Sequence, residues 1–250
     1  MLSKSQISFI KSLHLKKFRK SEGLFIVEGL KSITEFINSS FKIHSIYIDL
    51  DYFSEYPNLP TNIHRIDTNE INLKKISGLQ QPQGALALIY IPNNKQIDPK
   101  VLKNKFTLVL DDIQDPGNFG TILRTADWFG IENIICSKGT VDMYNLKVVQ
   151  STMGALSRIN IYYEDLPEFL SNISIPIYGA LLNGESIYNT SFKKEGLIIL
   201  GNEGHGISEK LLDFIQKPVT IPKVGLSESL NVAISAAIFC SEVARNQGKS

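Results

Sequence analysis

Three short runs in this 250-residue chain set polar and charged side chains where group-transfer chemistry could use them. The first, Asn118-Phe119-Gly120-Thr121-Ile122-Leu123-Arg124-Thr125-Ala126, follows an apolar segment ending at Asp111-Asp112. A loop and helix start after the carboxyl end of a strand is where α/β proteins hold ligands. The spacing reads Asn118 as a helix N-cap and sets Arg124 about two turns further on. The apolar flanks Ile122, Leu123 and Ala126 predict a buried or cleft position for the guanidinium, although lone helical arginines are commonly surface ion-pair partners. The second run, Gly201-Asn202-Glu203-Gly204-His205-Gly206, closes another apolar strand, and its glycines permit close backbone approach to a ligand. A plain loop is its alternative reading. The third, Ile221 to Ala233, sets Ser229 and Asn231 at the start of an apolar helix, where simple capping is their commoner use. Each run has an ordinary explanation alone. In this order, at strand ends, together they mark a site.

The elements that must position them follow from hydrophobic periodicity. Residues 3–20 carry Ile7, Ile10 and Leu13 at helical spacing. Strands are expected at Phe25–Val27, Ser45–Ile48, Ile63–Ile66 and Ala85–Ile91, with helices at Leu30–Ile37 and after Asp67. That is a small α/β unit over residues 1–92. Turn formers crowd Pro92–Gln96 and Asp98-Pro99, so 93–105 reads as a linker. From 106 to 250, continuous apolar runs at Thr107–Leu110, Ile134–Cys136, Ile177–Leu182 and Leu197–Leu200 suit strands covered on both faces. Helices are expected at Ile122–Phe129, Leu146–Leu156, Leu166–Leu170, Glu209–Ile215 and Leu230–Arg245. The alternation argues for a parallel sheet flanked by helices. In the last helix Leu230, Ala233, Ile234, Ala237 and Ile238 share one face, while Val232, Phe239 and Val243 lie on others. Such a helix is covered on more than one side, by its own domain and a second subunit or within a monomer.

Formal charge is +1, but it is unevenly spread. The first twenty residues hold Lys4, Lys11, Lys16, Lys17, Arg19 and Lys20 and no acid, leaving 20 basic and 25 acidic residues elsewhere. A basic arm on an acidic body suits a polyanion, or is a solvated helix face. Cys136 and Cys240 lie in apolar runs without metal-ligand spacing and read as buried thiols in a reducing compartment. No metal site is expected, no segment suits a membrane span, and the default location is the cytoplasm.

The chain resembles the SpoU/TrmH family of RNA ribose 2′-O-methyltransferases of the knotted SPOUT superfamily. The resemblance rests on Asn-x-Gly-x-x-x-Arg-Thr-Ala at 118–126, Gly-Asn-Glu-Gly at 201–204 and Ile-Pro…Ser-Leu-Asn-Val at 221–232, and covers essentially the whole chain. Leu13–Lys20 through Phe25–Gly29 resembles the family's optional N-terminal substrate-binding domain. It implies a C-terminal domain threaded into a deep trefoil knot, a topology nearly absent elsewhere and not readable from pattern. It also implies S-adenosylmethionine as cofactor, held by backbone around Leu182, Gly201, Asn202, Ile221 and Leu230, and a homodimer. Arg124, Asn118, Glu203, Ser229 and Asn231 would form the polar site, and Lys16, Lys17, Arg19 and Lys20 would contact RNA. Lys223 departs from the family's usual apolar residue there, which bears on the pocket rim or the dimer surface.

Negative charge builds on the ribose 2′-oxygen as its proton leaves, so a nearby cation lowers the barrier. Arg124 fits that task, and a guanidinium also matches a neighbouring phosphate. The family assigns this arginine as general base, although guanidinium groups, with pKa above roughly 12, are intrinsically poor bases. Large-subunit rRNA is the favoured substrate, by analogy with family members that carry the N-terminal domain. Alternatives are a tRNA methyltransferase or a knotted RNA-binding module without catalysis. A nucleotide enzyme of another class would normally carry GxGxxG or GxxxxGK[ST] after its first strand, and neither is present.

Overall fold

Ser3 opens the fold with a capping box, its side chain accepting from the Gln6 backbone while Gln6 reaches back to Ser3. The structure is a computed structural model and describes residues 2–53, 60, 63–93 and 97–248. Contacts divide the chain into two units: Met1–Asn94 with Asp142–Arg158, and Lys95–Val141 with Ile159–Ser250.

The first unit runs α1 (Lys4–Ser12), α2 (Lys16–Glu22), β1 (Leu24–Glu28), α3 (Leu30–Ile37), β2 (Ile43–Asp49), α4 (Leu50–Phe53), β3 (Arg65–Thr68), α5 (Glu70–Ile76) and β4 (Ala85–Tyr90). The helical periodicity of 3–20 thus resolves into two helices. The break falls at Leu13, which is buried among Ile10, Leu24, Leu73, Ile76 and Leu88. Gly23 ends α2 at φ +63°, a conformation that favours glycine. The sheet order is β1-β4-β2-β3, antiparallel except for the parallel β2–β3 pair. Every residue of β1 is buried. On one side Phe25 meets Phe36 edge-on, with ring centroids 5.6 Å apart, and lies 4.5 Å from Tyr144.

Tyr144 belongs to a later segment. α7 (Leu146–Thr152) packs on β1, so Asp142–Arg158 folds with the first unit although it follows a strand of the second. A division drawn once along the sequence does not contain this return. α7 is also shorter than its apolar pattern suggests. Met153 takes φ +51° and Gly154 φ +94°, and a 3-10 turn, Ala155–Ser157, replaces further helix.

The second unit holds β5 (Phe106–Leu110), α6 (Pro116–Trp128), β6 (Asn133–Ser137), β7 (Asn160–Glu164), α8 (Leu166–Ser171), β8 (Ile177–Ser186), β9 (Gly196–Leu200), α9 (Glu209–Leu212), β10 (Lys217–Thr220) and α10 (Val232–Asn246). Of the expected linker 93–105, residues 94–96 lie outside the described residues. Further along, a 3-10 turn at Pro99–Leu102 buries Leu102 in this unit's core. All six strands are parallel, in the order β10-β8-β9-β5-β6-β7. The central β9, β5 and β6 are buried throughout, as their apolar runs require. The apolar pattern does not disclose the edge strand β7, nor the bounds of the other edge strand, β10. β7 is half-exposed, and β10 carries Pro218 at a register shift, a position open to proline only at an edge or bulge.

Candidate active site

The sheet sets β10, β8 and β9 side by side; Ile221 follows β10, Gly201 follows β9, and Leu182 lies within β8 beyond its last pairing with β9. Thr220 Oγ1 donates to the Leu182 carbonyl at 3.0 Å, which fastens the first two together. Gly201 has no freedom to be otherwise: an added Cβ would overlap the backbone of Gly206 and Ile207. That contact closes a turn in which Asn202 and Gly206 exchange backbone hydrogen bonds at 2.9 Å. The Asn202 side chain completes it, accepting from Gly204 N at 2.8 Å and donating to the Asp112 carbonyl at 2.7 Å. Asn202 is therefore a builder of the turn.

Two residues not singled out from sequence secure this end of the sheet. Buried Asp111 accepts from Ser208 N at 2.8 Å, and Asp112 adopts φ +57° with its amide bonded to Ser137 Oγ. A third is Asp115. It, not Asn118, caps α6, accepting from Asn118 N at 2.7 Å with Pro116 next in the helix. The Asp-Pro pair is the signal that identifies it, since proline favours the first helical position.

The correction moves Asn118 into the first turn and frees its side chain for another task. Its Nδ2 donates to Glu203 Oε1 at 2.7 Å, and its Oδ1 accepts from Asn231 Nδ2 at 3.0 Å. Asn231 meanwhile caps α10, accepting from Ala233 N at 2.9 Å. One residue from each of the three runs thus meets the others through a single amide.

Arg124 and Ser229 stand apart. Among the described residues, no hydrogen bond or ion pair joins either to this triad. Arg124 is exposed, contrary to the cleft position its flanks suggested, because Ile122, Leu123 and Ala126 turn inward and leave Thr121, Arg124 and Trp128 outward. Ser229 lies in the exposed segment 222–230, as does Lys223. Leu182 and Leu230 are exposed as well. In α10, Val232, Ala236, Phe239, Cys240 and Val243 are buried, whereas Ile234 is 51% exposed, and Trp128 of α6 is 83% exposed.

The RNA candidates also separate. Lys16, Lys17 and Lys20 are exposed. Arg19 is 3% exposed; its Nη1 donates to the Leu13 and His14 carbonyls and its Nη2 pairs with Asp142 Oδ2 at 2.6 Å. It ties α2 to the returning segment and has no free face for a phosphate.

Comparison with known proteins decides the lineage. The SpoU rRNA methylase family matches residues 105–241, and the MRM3-like substrate binding domain matches residues 4–87. The chain belongs to the SpoU rRNA methylase family. It is 31% identical over 233 residues to a 23S rRNA guanosine 2′-O-methyltransferase, RlmP, of Bacillus subtilis, covering 92% of each chain. Among solved structures, a putative RNA methyltransferase of the TrmH family from Porphyromonas gingivalis is 37% identical with TM-score 0.87, covering 98% of this chain and 99% of that one. An AdoMet-bound rRNA methyltransferase from Sinorhizobium meliloti is 26% identical with TM-score 0.85, covering 98% and 97%. This SpoU methylase has the family's α/β fold and parallel six-stranded sheet. The family's cofactor is S-adenosylmethionine, and exposed Leu182 and Leu230 have the apolar character that cover for its nucleoside would need. Among the described residues no helix is long and apolar enough to cross a membrane.

Proposed function

We propose that this protein methylates a ribose 2′-hydroxyl in large-subunit ribosomal RNA, in the cytoplasm and as a homodimer. The carrying observation is the Asn118 amide, which holds the first, second and third runs in one polar site through Glu203 and Asn231. Bound S-adenosylmethionine would supply the methyl group and the sulfonium leaving group. The chain's own residues hold the reactants and manage charge. Leu182, Gly201, Asn202, Ile221 and Leu230 surround the cofactor position, with the third run passing through the knot that family membership implies.

Arg124 is the group closest to the reacting oxygen. Its guanidinium has no internal partner among the described residues, so its charge is available to a developing alkoxide and an adjacent phosphate. Glu203, Asn118 and Asn231 shape the floor of the site, and Ser229 contributes from the segment over it. Dimerisation would cover Trp128, Leu230 and Ile234, apolar groups otherwise in water. In the first unit Lys16, Lys17 and Lys20 take RNA phosphates.

The test is transfer of tritiated methyl from S-adenosylmethionine to purified ribosomal RNA and to tRNA. Label in large-subunit rRNA, at an alkali-resistant dinucleotide, supports the reading. Label confined to tRNA, or resting on a base, overturns it.

A further inference from the structure

The loop between α5 and β4 carries Gln80, Gln81 and Gln83 around Pro82, all three residues exposed. Among the described residues no hydrogen bond engages their side chains. We propose that this loop reads unpaired bases of the RNA substrate, with lysines at both of its ends holding the phosphates. The proposal rests on the RNA methyltransferase reading above and assigns it a selecting element.

The loop is built to hold its shape. Glu28, 5% exposed, accepts from Gly78 N at 2.9 Å and from Ser77 Oγ, so a buried carboxylate fixes the loop's first residues. Leu79 N donates to Ser77 Oγ at 2.9 Å, extending that anchor by one residue. At the far end the Gln83 side chain rests on Gly29, where an added Cβ would overlap Gln83 Oε1 and the backbone has φ +85°. A loop fixed at both ends loses less freedom on binding.

Positive charge lies at both anchors. His14 Nε2 is 3.3 Å from the Ile76 carbonyl, and Gly78 abuts the same imidazole, so the loop's start adjoins the corner from which Lys16, Lys17 and Lys20 extend. Gly29 opens α3 without a side-chain cap, leaving the first backbone amides unpaired, and exposed Lys31 follows two residues later. Lysines and helix N-termini both favour phosphate. Between them stand planar amides, each with a donor and an acceptor that match a base edge; glutamine pairs bidentately with adenine. Specific RNA recognition is directed at unpaired loops, whose base edges are open.

The experiment uses the full chain and fluorescein-labelled hairpins with one common stem and a seven-adenosine or seven-uridine loop, plus the blunt stem duplex. Wild type is expected to favour the adenosine loop by about tenfold, within the range for one bidentate amide contact. Gln80→Ala/Gln81→Ala/Gln83→Ala is expected to bind the two hairpins within about twofold of each other, with duplex affinity and melting temperature retained. Lys16→Gln/Lys20→Gln/Lys31→Gln is expected to weaken all three probes alike and flatten the salt dependence. Equal binding of both hairpins by wild type, no hairpin binding, or a preference surviving the glutamine changes overturns the proposal. Methyl transfer to rRNA by the same wild-type preparation separates the two readings. Activity without loop preference removes only the reading loop, whereas no activity removes the methyltransferase reading itself.

Discussion

The side-chain amide of Asn118 donates to the Glu203 carboxylate at 2.7 Å, across 85 residues of sequence. The same amide's oxygen accepts from Asn231, 113 residues later. This bridge needs both a donor and an acceptor on one short side chain, which asparagine supplies and aspartate does not. Asn118→Asp sets two carboxylates face to face. Methyl transfer should fall more than about tenfold, a barrier change of roughly 1.4 kcal/mol. Unfolding free energy should change by less, because the bonds are solvent-exposed. Steady-state kinetics and urea melts of the same variant check both, and unchanged turnover would separate the bridge from function.

Gly201 is the position where the turn and the proposed cofactor site share one constraint. Gly201→Ala drives a methyl into the backbone of Gly206, so the Asn202–Gly206 pairing must open. S-adenosylmethionine affinity by calorimetry should drop at least about tenfold, equivalent to roughly 1.4 kcal/mol. Wild-type affinity would place the cofactor elsewhere.

Arg19 should matter to stability far more than its place in a basic run suggests. Removing one partner of a fully buried ion pair costs about 3–5 kcal/mol; here Arg19 is buried and Asp142 partly so, which sets that figure as an upper bound. Arg19→Met should approach that loss in urea denaturation, and Arg19→Met/Asp142→Leu should recover part of it. A loss below about 1 kcal/mol would show the pair to be incidental.

Both thiols are raised by burial, Cys240 from 9.0 to about 12 and Cys136 further. A thiol that binds its proton more tightly when folded supports stability below its unfolded pKa and loses that support as pH climbs toward the folded value. Stability should therefore be flat with respect to these groups below pH 9 and decline above it. A thiol reagent at pH 8 should label neither cysteine until denaturant is added; rapid labelling of the native protein would contradict the burial.

Much of this architecture is legible in the residues themselves. Leu30–Ile37 is recovered to the residue, and the central strands announce themselves because both of their faces are covered. The edge strand β7 does not, since a half-exposed segment lacks that apolar run, whereas a last strand is expected ahead of Ile221, where β10 lies. The fold brings one residue of each run together, but composition cannot show which polar groups touch. Asn118 reads as a cap until Asp115 is seen to fill that role, and Arg19 reads as one of four basic residues until its burial against Asp142 appears. Arg124 is the converse case: apolar neighbours in sequence lie on the opposite side of the helix.

Ribose-methylation mapping tests most directly the proposed 2′-O-methylation of large-subunit rRNA with Arg124 at the reacting oxygen. RNA from a strain lacking this gene would be compared with RNA from strains restored with wild type or Arg124→Ala. One 2′-O-methyl position in large-subunit rRNA should vanish on deletion and return with wild type alone. The Arg124→Ala protein should still bind S-adenosylmethionine and melt as wild type does. A complete large-subunit methylation map in the deletion strain, or full restoration by Arg124→Ala, would contradict the account.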